Sequence, residues 1–399
     1  MISNILAVSK VQDNIKEEKF LSFLPLSHVL ERMAGHFYPL YIHSTIYYAE
    51  SMEKVAENMA EVSPTVVICV PRFFEKMYNA VVKNIETAGS LKKKLFWWAI
   101  KVGKDYVASK NAHDKIPFML NFKHKIADKL IYKKIKTKLG GNIKFFISGG
   151  APLSRNVAEF FASLNIIILE GYGLTESSPV LTSNQPEKIK FGYVGTALDN
   201  VEIKIASDGE ILAKGPNIML GYYNNKEATD EVIDSEGWLH TGDIGILDEE
   251  GFLKITDRKK SIIVTSGGKN IPPAPLENAL LTSKYIEQVI VIGDKRNFLS
   301  AIIVPLFDNV KDYLASKKIE IESHDALIEH HEVIELYDDE LKKAMTDFSK
   351  FEQIKKFKLI SRPFMIEKGE MTPKMSIVRK VVEQNFNDEI EEMYKGANL

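Results

Sequence analysis

The sequence predicts an α/β protein, and two observations carry the prediction. Short runs rich in Ile, Val, Phe and Tyr, bounded by Gly, Pro or Ser, alternate with longer stretches that suit helices. After Val180 the pattern changes, with shorter apolar pieces broken often by Gly, Asp, Asn and Pro. The strands expected in the first part are Phe20 to Leu26, Ile46 to Ala49, Thr65 to Val70, Ile143 to Ile147 and Ile166 to Leu169. Their continuous apolar character predicts a largely buried sheet. From Val180 to Val264 the Asp208-Gly209, Glu236-Gly237 and Glu250-Gly251 pairs read as turns of a β-rich subdomain. After Lys260 a smaller α+β unit is expected, with strands at Gln288 to Ile292 and Ser300 to Pro305 and helices over roughly Ser323 to Glu352.

The chain of 399 residues is too long for one ordinary core, so two or more domains are expected. Hydrophobic residues at 45% and charged residues at 27% give an ordinary globular balance. A formal net charge of −2 gives no case for nucleic acid as a partner. The single cysteine, Cys69, sits inside the apolar run Val66 to Val70 and reads as a buried strand residue, which fits a reducing compartment. No apolar run approaches the roughly 20 residues of a membrane span. A cytoplasmic protein is expected, soluble or peripheral on the inner face of a membrane. The segment Lys83 to Lys138 is basic and carries Phe96-Trp97-Trp98 beside Lys92-Lys93-Lys94. It reads either as a helix pair on an anionic membrane surface or as a solvated helical face with its aromatics turned inward.

Four motifs bear on chemistry. Gly171-Tyr172-Gly173-Leu174-Thr175-Glu176 follows a predicted strand; its glycines allow close backbone approach, and the hydroxyl of Thr175 with the carboxylate of Glu176 suits phosphate oxygens and Mg²⁺. Ser148-Gly149-Gly150-Ala151-Pro152-Leu153 follows another strand, and its small residues leave room for a flat ring. Trp238-Leu239-His240-Thr241-Gly242-Asp243 offers a carboxylate between turns, able to accept two hydroxyl hydrogen bonds. Asp257-Arg258-Lys259-Lys260, then Ser266-Gly267-Gly268-Lys269-Asn270-Ile271, supplies a guanidinium fork and a second Gly-rich turn.

These motifs, in this order, resemble the adenylate-forming (AMP-binding) superfamily. Phe23-Leu24-Pro25-Leu26-Ser27-His28 with Glu31-Arg32, and Val70-Pro71-Arg72-Phe73-Phe74-Glu75-Lys76, resemble its long-chain fatty acid–CoA ligase (long-chain acyl-CoA synthetase) branch. The resemblance implies a remnant of a large multi-sheet α/β domain at 1–258, with a β-rich subdomain at about 180–258. A small, mobile α+β domain at 259–399 is implied to follow it. It also implies a reaction in which fatty acid and ATP give acyl-adenylate and pyrophosphate, and CoA then displaces AMP. ATP or AMP, Mg²⁺ and coenzyme A are the implied cofactors and co-substrates.

The implied roles fall on particular residues. Tyr172 stacks on adenine in a slot lined by Gly149, Gly150, Ala151 and Gly173. Thr175 meets the phosphates and Glu176 holds the metal. Asp243 binds the ribose with help from Arg258, and His28 lies near the acyl carboxylate. Lys260 is the hinge, and Gly267 and Gly268 lie on the CoA path.

Two departures from the family pattern stand out. The loop rich in Ser, Thr and Gly that cradles the terminal phosphates is expected upstream of His28, and Met1 falls just after its place. In Met371-Thr372-Pro373-Lys374-Met375-Ser376, the position of the family's catalytic lysine falls on Ser376, with Lys374 two residues earlier. Loss of one such charge costs about 10²–10³ in rate, so weak adenylation is expected. The alternative reading is an impaired remnant or split-gene subunit that binds nucleotide or acyl-adenylate, associated with a complementary N-terminal fragment.

Overall fold

The computed structural model describes residues 1–11, 17–112, 115–259, 261–372 and 376–396. The chain divides into two compact units, Met1–Ile255 and Thr256–Leu399.

The first unit is built on a seven-stranded sheet. In chain order its strands are β1 (Lys19–Ser22), β2 (Thr45–Tyr48), β3 (Val66–Cys69), β4 (Phe145–Ser148), β5 (Ile168–Gly173), β6 (Val180–Ser183) and β7 (Thr196–Ala197). Their order across the sheet is β2-β1-β3-β4-β5-β6-β7. The pairs from β2 to β5 are parallel, and the last two are antiparallel. Every residue of β3 is buried, as expected for a central parallel strand covered on both faces.

Alternate side chains serve the two faces. Leu21, Val67, Cys69 and Phe146 pack on one side with Phe74, Phe96, Phe160 and Phe161, while Phe20, Val66, Ile68 and Phe145 pack on the other with Met33 and Tyr38. The Pro71–Glu86 helix opens with proline in its first turn, where no intrahelical N–H is lost. Its Phe74 meets Phe146 and Phe161 edge-on at centroid distances of 5.5 and 5.9 Å. β2 is an edge strand, and Tyr47 and Tyr48 lie exposed beside Phe37, Leu40 and Tyr41.

The β-rich part holds β8 (Glu202–Ile205), β9 (Glu210–Lys214), β10 (Leu239–Leu247) and β11 (Leu253–Arg258), ordered β11-β10-β9-β8. The second unit contains the small hairpin β12 (Ile263–Val264) and β13 (Asn270–Ile271). It also holds a three-stranded sheet of β14 (Ile286–Ile292), β15 (Leu299–Pro305) and β16 (Ile354–Leu359). β15 is buried along its whole length, antiparallel to β14 and parallel to β16. Helices Phe307–Ser316, His324–Glu329 and His331–Ala344 make the crossover from β15 to β16.

Several boundaries differ from expectation. The run after Ser22 leaves the sheet, because β2 and β3 pair with β1 only over Lys19 to Ser22. The helical region expected at Ser323 to Glu352 is two helices, separated at His330, whose extended backbone stops one and whose ring accepts the Glu332 N–H of the next. β5 does not end before the glycine motif; it continues through Gly173 because Gly171 and Tyr172 pair with Ser183 and Thr182 of β6. Among the described residues no helix is long and apolar enough to cross a membrane.

Candidate functional site

The Gly149–Leu153 turn and the Gly171–Glu176 motif lie together at the C-terminal ends of the neighbouring strands β4 and β5. Gly149 to Leu153 leave β4, with Gly149 buried and Gly150 and Ala151 exposed. Gly173 admits no side chain, since a Cβ there would lie 1.7 Å from the Pro179 carbonyl oxygen. Tyr172 is buried, and its hydroxyl donates to Asp243 Oδ2 at 2.7 Å. The two residues implied for adenine and ribose, far apart in sequence, therefore touch.

Asp243 lies within β10 rather than between turns. β10 is irregular between His240 and Ile244, and Gly242 there has a left-handed φ of 71°. This bulge is pinned by Glu210, which accepts the Gly242 N–H at 2.9 Å and contacts His240 Nδ1 at 3.1 Å. The bulge re-aims one carboxylate from the strand, as such irregularities do beside sites.

Thr175 is exposed in a short 3₁₀ turn, Thr175–Ser177. Glu176, half-buried, is held by a loop that the sequence reading did not single out. Met219 N–H donates to its carbonyl at 2.7 Å, and the Tyr222 hydroxyl donates to Oε1 at 2.9 Å. Asn217 Nδ2 donates to the Ser177 carbonyl at 2.8 Å. Among the described residues no three His, Cys, Asp or Glu side chains converge to hold a metal. The donor set thus fits a divalent cation only when nucleotide phosphates bring most of the ligands with it.

Two buried acids were given no role by the sequence. Glu170, which registers with Ser148 across β4 and β5, is pushed up to about 8 by burial, although its carboxylate accepts the N–H groups of Gly192 and Leu153. It joins the Gly149–Leu153 turn to β5. Glu31 is pushed up to about 7 by burial; its Oε1 accepts the Ser22 hydroxyl at 2.5 Å, and its Oε2 has no hydrogen-bond partner among the described residues. His28 sits just before it, where its Nδ1 accepts the Leu30 N–H at 3.3 Å. The sequence signal for these acids was present: a glutamate beside an apolar strand end and another inside an apolar helix pattern.

The remaining candidates lie in the second unit. The Arg258 N–H donates to Asp257 Oδ1 at 2.6 Å at the end of β11. Gly267 and Gly268 form the tip of the β12–β13 hairpin, where Gly268 donates its N–H to the Thr265 carbonyl at 2.9 Å. Ser376 is exposed, and its carbonyl accepts the Thr372 N–H at 2.9 Å. Lys260 and Lys374 lie outside the described residues. The helix that follows Ser376 is fixed by Arg379, which donates to the Val291 carbonyl and to Glu277 Oε1, each at 2.5 Å.

Comparison with known proteins bears on the family of the chain. The profile of AMP-binding enzymes matches residues 1–223, and that of the AMP-binding enzyme C-terminal domain matches residues 260–398. The long-chain-fatty-acid–CoA ligase FadD15 of Mycobacterium bovis is 37% identical over 95% of this chain and 62% of its own length. The human long-chain-fatty-acid–CoA ligase ACSBG2 is 34% identical over 95% of this chain and 60% of its own. The chain thus spans about three fifths of the length of these relatives.

Among solved structures, the adenylation domain of a Mycobacterium chelonae carboxylate reductase superposes with a TM-score of 0.74 at 21% identity. That match covers 98% of this chain and 56% of the other. The O-succinylbenzoate coenzyme A synthetase of Bacillus subtilis, in complex with ATP and magnesium ion, gives 0.62 at 21%, covering 95% and 64%. The structural likeness shows a shared α/β fold, and with the profile matches it leads to one statement of kinship: the chain belongs to the AMP-binding enzyme family.

Proposed function

We propose that this chain carries most of an ATP-dependent long-chain fatty acid–CoA ligase. The observation that carries the reading is the Tyr172–Asp243 hydrogen bond beside Thr175 and Glu176, which joins the motif on β5 of the seven-stranded sheet to the motif on β10 of the four-stranded sheet. In the first half-reaction a fatty acid carboxylate oxygen attacks the α-phosphorus of ATP and pyrophosphate leaves. In the second, the CoA sulfur attacks the acyl carbonyl, AMP leaves, and the thiol proton is released.

In this reading Asp243 accepts the ribose hydroxyls. Tyr172 and the Gly149–Ala151 turn bound the purine slot, with Gly173 giving the backbone its close approach. Thr175 donates to a phosphate, and Glu176 faces the cation that accompanies it. Arg258 assists at the ribose, His28 lies near the acyl carboxylate, and Gly267 and Gly268 border the CoA path. Lys260 is assigned as the hinge between domains 1–258 and 259–399.

Ser376 in place of a lysine favours an impaired first half-reaction, unless Lys374, two residues earlier, supplies the missing charge. The exposed edge of β2, with Tyr47, Tyr48, Leu40 and Tyr41, supports a complementary fragment as partner. On the Phe118–Ala127 helix and the turn after it, Phe118, Phe122, Ile126 and Leu130 are all exposed at four-residue spacing among lysines. This stripe supports peripheral contact with an anionic membrane on the cytoplasmic side. Nothing in the net charge favours nucleic acid.

The test uses two assays on the purified chain: palmitate with ATP, Mg²⁺ and CoA, and presynthesised palmitoyl-adenylate with CoA. Turnover in the first establishes a complete ligase. Turnover in the second alone establishes a thioester-forming unit that lacks adenylation. No turnover in either, with AMP still bound, establishes the non-catalytic subunit.

A further inference from the structure

Resting on the ligase reading, we infer that Tyr222 is a positioning residue for Glu176: its phenol fixes one carboxylate oxygen so that the other is presented to the cation accompanying the nucleotide. A glutamate on a surface turn has three rotatable side-chain bonds and, left alone, samples many orientations. Here the hydroxyl of Tyr222 donates to Glu176 Oε1 at 2.9 Å and selects one of them. The residue that makes this bond is not itself left to chance.

The loop from Gly215 to Tyr222 is stitched to the Glu176 turn along its length. Asn217, 2% exposed, donates through Nδ2 to the carbonyls of Ser177 at 2.8 Å and Val180 at 3.2 Å. Met219 N–H donates to the Glu176 carbonyl at 2.7 Å. On the far side, the Tyr222 N–H donates to Thr229 Oγ1 at 2.9 Å, and that hydroxyl donates to the Asn225 carbonyl at 2.8 Å. Gly221, with φ of 147°, passes so close that a Cβ would lie 2.8 Å from the Thr229 methyl. Both ends of the loop are therefore fixed, and the phenol arrives at Glu176 from a rigid base, as a preorganised site requires.

The ring of Tyr222 contributes little to the core, being 39% exposed. Removal of its hydroxyl should therefore separate positioning from folding. The phenol leaves the charge of Glu176 in place and acts on its direction alone.

The experiment is calorimetric binding of three probes (ATP with Mg²⁺, ATP with chelator, and AMP) to the full chain and to Tyr222→Phe, Glu176→Gln and the double variant. A hydrogen bond of this kind corresponds to a loss of about threefold to tenfold. We expect Tyr222→Phe to weaken Mg–ATP by that factor while AMP, chelated ATP and the denaturation midpoint stay unchanged. In the Glu176→Gln background the second substitution should add nothing. Equal Mg–ATP binding by wild type and Tyr222→Phe overturns the inference, as does equal weakening of AMP or full additivity in the double variant. If the wild-type chain binds no nucleotide at all, the ligase reading falls and takes this inference with it.

Discussion

Glu170 and Glu370 are both buried carboxyls whose surroundings drive them in opposite directions. For Glu170 burial prevails and its acid form persists to about pH 8, against an ordinary value of 4.5. The folded chain therefore binds this proton more tightly than the unfolded chain, so its contribution to stability is full below pH 4.5 and is lost as pH rises to about 8. Glu31 adds the same sign up to about pH 7. Glu170→Gln should flatten, without abolishing, the decline in melting temperature between pH 5 and 8, measured by calorimetric scans.

Burial would raise Glu370 too. It is outweighed by two Arg362 bonds at 2.7 Å, the Asn385 amide at 2.9 Å and the Met365 N–H at 3.0 Å, which hold it at about 2. Its contribution is present above pH 4.5 and lost as pH falls toward 2. Arg362→Met strands that carboxylate and should cost roughly 3–5 kcal/mol, read as a lower denaturant midpoint at pH 7. At the nucleotide motifs, Asp243→Asn keeps the volume and removes the charge that meets the ribose in the proposed reading. It should weaken AMP roughly tenfold, measurable by calorimetry.

At the scale of elements, the parallel strands were legible because each is a short apolar run between punctuating residues. Their neighbours were less so. β16, Ile354-Lys355-Lys356-Phe357-Lys358-Leu359, was not among the expected strands; it carries three lysines, a charge that an edge strand tolerates. The Gly171-Tyr172-Gly173 motif reads as a turn from its glycines, but it remains strand because β6 folds back to pair with it. Motif residues were visible one by one, whereas the Tyr172–Asp243 and Tyr222–Glu176 contacts join residues 71 and 46 positions apart. No local pattern announces such pairs.

The Phe118–Ala127 helix gives an element-scale prediction. Phe118→Ser with Phe122→Ser removes two exposed rings without opening the core. Co-sedimentation with vesicles of anionic and neutral phospholipid should fall severalfold for the double variant, and for wild type on neutral vesicles. Unchanged sedimentation would assign the stripe to another partner.

For the whole molecule, each unit has its own hydrophobic cluster. Among the described residues, the cluster around β14 to β16 draws on residues from Ile263 to Tyr394, and the clusters around the seven-stranded sheet on the first unit. Ile302→Ala, at a fully buried position of β15, should cost about 2–5 kcal/mol in the second unit. Hydrogen exchange should register that loss in residues 256–399 and leave β3 and β4 protected as before.

One small feature has practical reach. The sole thiol of the chain, Cys69, is 0% exposed, and burial, with the nearby Glu31, pushes its pKa well above the ordinary value. Maleimide dyes, spin labels and crosslinkers, which need an accessible thiolate, should pass the folded wild type by. A cysteine introduced at an open position such as Leu91, 82% exposed, then becomes a unique address. Two such addresses, one per unit, would let fluorescence energy transfer compare the units with and without added nucleotide in a protein that keeps every native residue of its interior.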